Sequence, residues 1–289
     1  MRRQILIGAV MLLAVAALGY AQDQGMGMMQ GPQIKGTASL TFTSKYVWRG
    51  FNVFGSKAAT HPMVDLFTPD YNVGFSVEGH VANSSGYQIA ERWDYSLYYL
   101  GQMFPGECYE MNYRLAYVYY NYPDLSSHGS DSMDLQEGHA VMSFPKLTGI
   151  EGLVPSYVLV KLWPSNSDSL VGARSPSGGT ASGWAHIFML DYTVPIHCPF
   201  TGVDRKVNFH SEFIWNDGVA PDGGNSPAKY GLRGPADHDW SNAVFGVSTN
   251  YEIEDNLFFT PGFYYQSSWD DSVNPSDQYW VSLGMSYKF

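Results

Sequence analysis

The segment that decides the fold is residues 279–289, Tyr-Trp-Val-Ser-Leu-Gly-Met-Ser-Tyr-Lys-Phe. Apolar side chains occupy its odd positions, and small or polar side chains occupy the even ones, with Trp280 as the exception. Because successive side chains of a β-strand point to opposite faces, all the odd positions share one face. The segment therefore predicts a strand with one apolar face.

The same two-residue period recurs from residue 36 onward, with turn residues between the segments. Twelve strands are predicted, around residues 38–48, 64–66, 73–81, 93–99, 111–119, 133–144, 158–162, 184–192, 207–215, 243–251, 257–265 and 279–289. The apolar face of the seventh is Val158, Val160 and Leu162, with Lys161 opposite. An even count returns both ends to one side of a membrane. The fold expected is all-β, a single closed antiparallel transmembrane β-barrel of about twelve strands.

Connections along the chain alternate in length, on the whole, as a barrel in an outer membrane requires. Those expected outside are 50–57, 83–90, 121–131, 164–183, 216–239 and 268–277, and the shorter ones between them are 68–71, 102–109, 145–153, 195–205 and 252–256. The two longest, 164–183 and 216–239, read as unstructured extracellular loops. Folding inward to narrow a pore is the alternative.

Composition supports the same class. Apolar residues make up 45% of the chain although its mean hydropathy is only −0.19, so apolar and polar residues alternate. The 21 tyrosines and 8 tryptophans suit the aromatic girdles of transmembrane barrels. The net charge of −11 argues against nucleic acid as a partner, since phosphate binding needs a basic surface.

The N-terminus has the layout of a secretory signal peptide, with Arg2 and Arg3 before an apolar stretch and a small-residue site ending at Ala21. We expect a signal peptide at 1–21, a flexible periplasmic leader at 22–35 and the barrel at 36–289. Cys108 and Cys198 are the only cysteines and fall in predicted periplasmic turns. A disulfide is possible after export, but two unpaired thiols are the preferred interpretation.

Several segments resemble known outer-membrane proteins. Residues 39–50, Ser-Leu-Thr-Phe-Thr-Ser-Lys-Tyr-Val-Trp-Arg-Gly, followed by Pro-Met-Val-Asp-Leu at 62–66, resemble the opening hairpin of the TorF family of porins, which has a strand ending in Tyr-Val-x-Arg-Gly. The tyrosine-rich segment 94–122 and the final strand are also similar to that family. The Met-rich leader, the two cysteines and the long loops depart from it.

The resemblance implies an outer-membrane porin, exported by its signal peptide, with outer-membrane lipid and small polar solutes as partners. The ending of the final strand, including Tyr287 and Phe289, is similar to the assembly signal that the barrel-assembly machinery reads. The resemblance brings no catalytic residue, cofactor or substrate.

Polar faces of the predicted strands would line the lumen. They carry Lys45, Arg49, Asp65, Glu78, His80, Asp94, Arg114, Lys161, Asp191, His210 and Glu212, with Glu137 and His139 as further candidates. Ionisable groups at membrane depth are candidates for an ion or solute path, and mutually compensating polar filling is the alternative. Arg49 could bind a passing anion or form a salt bridge to a neighbour such as Asp65.

The sequence predicts neither a metal site nor an enzyme active site. His61, Asp65, Glu78, His80 and Asp94 could be drawn as a metal site, but such residues are common in a polar lumen, and we predict no metal. No Ser/His/carboxylate motif, Gly-x-Ser-x-Gly elbow or zinc spacing indicates an enzyme. The function expected is a porin-like channel for passive passage of small polar solutes or ions. The alternative is a non-conducting barrel that acts in ligand binding or structure through its extracellular loops.

Overall fold

Twelve antiparallel strands make up the protein in the computed structural model, which describes residues 33–127, 132–169, 171–172, 181–197, 204–221 and 236–289. The strands are β1 Lys35–Thr43, β2 Ala59–Thr68, β3 Val73–Ala82, β4 Arg92–Met103, β5 Met111–Asn121, β6 Leu135–Ser143, β7 Leu153–Pro164, β8 Gly183–His197, β9 Asp204–Asp217, β10 His238–Thr249, β11 Leu257–Ser268 and β12 Gln278–Lys288. Short elements accompany them: strand Tyr251–Glu254 beside β11, a 3-10 turn at Gln88–Ala90 and a small hairpin described below.

Each strand pairs with the next along the chain, and the ring closes where β12 pairs with β1 from Thr37↔Lys288 to Thr43↔Ser282. Closure leaves no sheet edge, so the strands' backbone groups pair within the protein, which lipid requires of a spanning structure. The predicted closed barrel of about twelve strands is confirmed. Among the described residues, no helix is long and apolar enough to cross a membrane.

The two ends of the barrel differ. One end, here called the loop end, carries the connections 44–58, 83–91, 122–134, 165–182, 218–237 and 269–277. The other, the terminal end, carries the shorter turns and both ends of the strand ring, where the Gly36 N–H donates to the Phe289 carbonyl at 2.8 Å. The long and short connections alternate as the sequence predicts.

The outer face of the barrel is apolar, as expected for a surface that meets lipid. On β12 the side chains of Val281, Leu283 and Met285 are each about two-fifths exposed, and Phe188 and Phe263 on other strands also point outward. These are the faces that the two-residue period predicts.

The seventh strand is an exception, and here the prediction was wrong. Val158, Val160 and Leu162 are buried on the interior face, with exposures of 8%, 0% and 0%. Lys161 is therefore on the outer face, directly opposite Trp184, and its ammonium lies 5.1 Å from the centre of that ring. Lys161 does not line the lumen.

The interior is apolar along one wall. Buried side chains of β5 to β9 form a cluster with residues of the loop end: Val118, Tyr120, Tyr122, Leu135, Val158, Val160, Leu162, Ala185, Ile187, Ile214, Val171, Ala181, Val219, Ala220, Ala236, Val273 and Phe51. The described parts of the two longest loops thus contribute to the interior, which agrees with the inward-folding alternative.

Three predictions concern residues outside the described ranges. The signal peptide at 1–21 and most of the leader at 22–35 lie there, and so does Cys198. Cys108 is exposed, and its thiol forms no disulfide within the described part of the chain.

Candidate functional site

The connection between β1 and β2 folds into the barrel. We call residues 44–58 the inner loop. It contains a hairpin in which Val47 pairs with Asn52 and Trp48 with Phe51. Its two central residues, Arg49 and Gly50, have φ angles of 49° and 92°, and a type I′ turn requires positive φ at both positions. The sequence predicted a connection at 50–57 on this side of the barrel, but not that it begins at residue 44 and folds inward.

One side of the inner loop is fixed to β11, β12 and the connection between them. The Gly50 carbonyl accepts hydrogen bonds from the amides of Gln266 and Asn274, both at 3.0 Å. The Lys45 ammonium donates to Gln278 Oε1 at 2.7 Å, and the Asn52 amide donates to the same oxygen at 3.2 Å. Five polar side chains and one carbonyl therefore hold the loop against this wall.

The other side of the inner loop reaches β6. The Arg49 guanidinium donates to both carboxylate oxygens of Glu137, at 2.5 and 2.6 Å, and that carboxylate is fully buried. Tyr120 also donates to Glu137 at 2.7 Å. Asp65, the neighbour named from the sequence, instead accepts from the Tyr98 hydroxyl at 2.8 Å. Arg49 is thus in a salt bridge, but with a different partner.

These contacts make the inner loop a bridge across the lumen. In a closed ring of twelve strands, β6 and β12 lie six strands apart and face each other. Lys45 binds Gln278 on β12, and Arg49 binds Glu137 on β6. The loop therefore spans the barrel from wall to opposite wall and occupies part of the lumen.

The Arg49–Glu137 pair continues toward the terminal end into a chain of contacts that runs through His139 to the charged Arg114. His139 Nδ1 lies 2.9 Å from Glu137 Oε1, and His139 Nε2 lies 2.5 Å from an Arg114 nitrogen. The Arg114 guanidinium also stacks on Tyr98, 4.3 Å from the ring centre. Arg114 lines a cavity of about 530 Å³ that opens near the terminal end, with Gln102 and other polar residues.

A second polar cluster lies on β1 to β4 beside the base of the inner loop. Arg92 forms an ion pair with Asp94 at 2.7 Å and donates to the Tyr46 hydroxyl at 2.9 Å. Asp94 is also 2.9 Å from His80, and the Tyr46 ring stacks on His80 with 4.8 Å between centres. This cluster fixes the chain where it leaves β1 and turns inward.

A third polar group is on β8 and β9. His210 Nδ1 is 2.9 Å from Asp191, and its Nε2 is 3.6 Å from Glu212. The side chains of these residues keep between about a fifth and a third of their surface exposed. These three side chains are more exposed than those of the Arg49–Glu137 pair, which keep 15% and 0% of their surface exposed.

The structure thus brings most of the predicted lumen residues to the interior, but in separate clusters. Lys45 and Arg49 are in the inner loop, Arg114 is in the chain of contacts through His139, and Lys161 is outside. The clusters on β2 to β4 and on β8 and β9 contain Glu78, His80, Asp94, His210 and Glu212. Tyr287, named as part of an assembly signal, is on the outer face, and the Phe289 ring covers Gly36.

Sequence reasoning missed Arg92 and Tyr46. Arg92 is two positions before Asp94 on the same strand, so the period of two placed both on one face. That signal was available. Tyr46 was assigned to the lipid face of the first strand, because the period of two that places Ala38, Leu40 and Phe42 on that face also includes Tyr46 and Trp48.

The fold and the bridged lumen define a class: a twelve-stranded transmembrane β-barrel with a loop folded into its interior. No protein-family model matches the chain, and no curated protein does. Among solved structures it is similar to the NanC porin, with a TM-score of 0.51 and 10% identity over 87% of this chain and all of that one.

Two further solved structures are similar at lower scores. The KdgM porin, solved with disordered oligogalacturonate, has a TM-score of 0.48 and 9% identity, covering 88% of this chain and 99% of that one. The COG4313 outer membrane channel from Pseudomonas putida F1 has a TM-score of 0.48 and 12% identity, covering 92% and 99%. At these identities the likeness is one of fold.

Proposed function

We propose that the protein is an outer-membrane, porin-like channel for the passive passage of small polar solutes or ions, with the inner loop as its constriction. It is exported by the signal peptide at 1–21, and the barrel-assembly machinery inserts it through the strand that carries Tyr287 and Phe289. In this proposal it is a porin of the TorF type, and it catalyses no reaction.

The bridge between opposite walls is the observation that supports the proposal most. A lumen of twelve strands is narrower than that of the 16–18-stranded porins, and a loop that crosses it narrows it further. The groups at the crossing, Lys45, Arg49 and Glu137, are charged, so a solute that passes the inner loop meets ionisable side chains there. The partly exposed Asp191, His210 and Glu212 give water a polar surface along another part of the wall.

The solute class follows from the signs of these charges. The interior contains both acidic and basic side chains, often within one cluster, and several neutralise each other in ion pairs. Such a lumen has no dominant sign of charge. We therefore expect weak ion selectivity and a size limit set by the inner loop.

The second candidate is a non-conducting barrel that acts through its extracellular loops. The similar porins do not favour it, and the close packing of the inner loop is an observation consistent with it. Phe51 is 3% exposed within the apolar interior cluster, and Phe54 is fully buried in a smaller cluster with Tyr46, Ala59 and Tyr87. A loop that packs this closely could seal the barrel.

Planar-bilayer recordings of the refolded full chain, with ion substitution, separate the two candidates. The informative variant replaces residues 47–52 by a Gly/Ser linker, and the matched control replaces residues 147–150 in a terminal-end turn. For a channel narrowed by the inner loop we expect small conductance steps from wild type and control, and larger steps from the linker variant. Silence of the wild-type protein would mean a sealed barrel and would defeat the channel proposal.

A further inference from the structure

Three ligand-type side chains converge on β2 and β3, beside the base of the inner loop. The ligand atoms of His61, Glu78 and His80 all lie within 4.8 Å of one another. The two imidazole rings face each other through their Nδ1 atoms, which are 2.8 Å apart. Both histidines are buried, with exposures of 5% and 6%, so the rings are held in place by their surroundings.

The far nitrogen of each ring is held by an oxygen. His80 Nε2 is 2.9 Å from an Asp94 carboxylate oxygen, and His61 Nε2 is 2.9 Å from the Thr43 hydroxyl oxygen. Metal-binding histidines almost always have such a partner on the second ring nitrogen, because it fixes the tautomer and the orientation of the ring. The arrangement of Asp94 on His80 is the carboxylate–histidine pair of that pattern.

One arrangement of protons satisfies all the hydrogen bonds that link Thr43, His61, His80 and Asp94. With both rings neutral, His80 donates from Nε2 to Asp94 and keeps Nδ1 as an acceptor for the Nδ1–H of His61. A metal ion at the Nδ1 atoms needs two changes. The His61 proton leaves Nδ1, and a proton on Nε2 then donates to the Thr43 oxygen, which is already within hydrogen-bond distance. The two Nδ1 atoms also move apart, from 2.8 Å to the roughly 3.3 Å that two nitrogens on a tetrahedral zinc ion require.

Glu78 supplies the third ligand. In the described part of the chain its carboxylate has no hydrogen-bond or ion-pair partner, although it lies beside two imidazoles and next to Asp94 in the register. A cavity of about 220 Å³ borders His61, Glu78 and His80. An ion can therefore reach the three side chains from the lumen, and room remains for a water or solute at a fourth position.

We propose that His61, Glu78 and His80 bind one divalent transition-metal ion of the zinc type. Two imidazole nitrogens and one carboxylate oxygen with an open fourth position are a ligand set that Zn²⁺ accepts. Imidazole ligands favour zinc, copper and nickel over magnesium and calcium, which prefer oxygen. From the sequence no metal was predicted, because ligand-type residues are common in a polar lumen; the structure adds that three of them converge. The site does not depend on whether the barrel conducts.

The test is zinc titration calorimetry on the refolded full chain after treatment with a chelator. We expect one Zn²⁺ per chain in the wild type and at least tenfold weaker binding in Glu78→Gln and in His61→Phe. The matched control is His210→Asn, which removes another interior histidine held between two carboxylates, Asp191 and Glu212. It should bind zinc like the wild type. The shift of the folded barrel band on unboiled gels shows that each variant has folded.

A second readout uses Co²⁺ in place of zinc. The wild type should give the visible absorption of a four-coordinate site, and His61→Phe should lose it. The proposal is overturned if the wild type binds no zinc, if either ligand variant binds as tightly as the wild type, or if His210→Asn loses as much affinity as Glu78→Gln. The last result would show diffuse binding to polar groups of the lumen.

Discussion

Arg49 and Glu137 form a bidentate ion pair inside the barrel, with nitrogen–oxygen distances of 2.5 and 2.6 Å. Their positions are 88 residues apart in the sequence, and the pair joins the tip of the inner loop to β6. The Glu137 carboxylate is fully buried, whereas the Arg49 side chain keeps 15% of its surface exposed. Removing either partner would leave a buried charge without its counter-charge, and such a change is among the most costly single substitutions.

The first prediction is that Arg49→Ala both destabilises the barrel and widens its passage. Breaking a buried ion pair costs about 3–5 kcal/mol because the remaining charge is uncompensated. The free tip of the inner loop should then leave β6. We expect a lower free energy of unfolding in denaturant and larger single-channel conductance with altered ion selectivity in planar bilayers.

The control for this variant is Lys146→Ala. Lys146 also forms an ion pair, with Glu110 at 2.8 Å, but this pair lies in the turns of the terminal end, outside the lumen, and the Lys146 side chain is about half exposed. It should leave conductance unchanged. If Arg49→Ala also left conductance and selectivity unchanged, the inner loop would not be the constriction.

The second prediction concerns the turn of the inner hairpin and compares two glycines. Gly50 and Gly106 have nearly equal φ angles, 92° and 91°. The backbone strain that alanine introduces should therefore be similar at both positions, about 1–2 kcal/mol. At Gly50 an added Cβ would lie 2.4 Å from Asn242 Oδ1 and 2.8 Å from Val273 Cγ1, whereas at Gly106 nothing lies within 4 Å. Gly50→Ala should therefore destabilise the barrel more than Gly106→Ala, and denaturant unfolding of both variants measures the difference. Equal losses would show that the tip of the loop is not clamped.

The outer surface of the barrel was predictable because side chains that contact lipid are mostly apolar. Val281, Leu283 and Met285 alternate with small polar residues, and that period alone assigns the face. In β7 the two faces are nearly equally apolar, since Leu159 and Trp163 alternate with Val158, Val160 and Leu162. Lys161 was therefore the only residue that distinguished the two faces. It led to the wrong face being assigned to the lumen.

The inner loop could not be predicted for a different reason. Its fixing contacts join residues far apart in sequence, such as Lys45 and Gln278, 233 positions apart, and no local pattern records them. One signal was present. Phe51 and Phe54 lie in a connection that would otherwise expose two large aromatic rings, and both are buried in the structure. Aromatic residues in a short connection therefore indicated an inward path.

The third prediction tests which face of β7 meets lipid. Lys161→Gln should change neither conductance nor ion selectivity, because its ammonium lies over the outward-facing Trp184. Arg114→Gln should change selectivity, because Arg114 lines the cavity near the terminal end. Reversal potentials in a salt gradient measure both. If the reversal potential of Lys161→Gln shifted as much as that of Arg114→Gln, Lys161 would line the lumen and the assignment of the β7 faces would be wrong.

The fourth prediction is a pH dependence from the terminal end, outside the spanning strands. Glu110 accepts from the Lys146 ammonium at 2.8 Å and from the Gly106 N–H at 2.6 Å. The hydrogen bond from Lys146, followed by that from Gly106, holds the pKa of the Glu110 carboxyl below its usual value. A carboxyl whose pKa is lower in the folded state stabilises the protein above its unfolded pKa, and this stabilisation is lost as the pH falls through the folded pKa.

Glu110→Gln should therefore lower the free energy of unfolding at pH 7, and the difference from the wild type should shrink as the medium is acidified below about pH 4. Denaturant unfolding in detergent at a series of pH values measures it. Glu107→Gln is the matched control, since it removes the same charge from the same turn without removing the contact to Lys146. A wild-type advantage over Glu110→Gln that stays constant down to the lowest pH would mean that the carboxylate charge contributes nothing to the turn, and that shape and hydrogen bonding alone hold it.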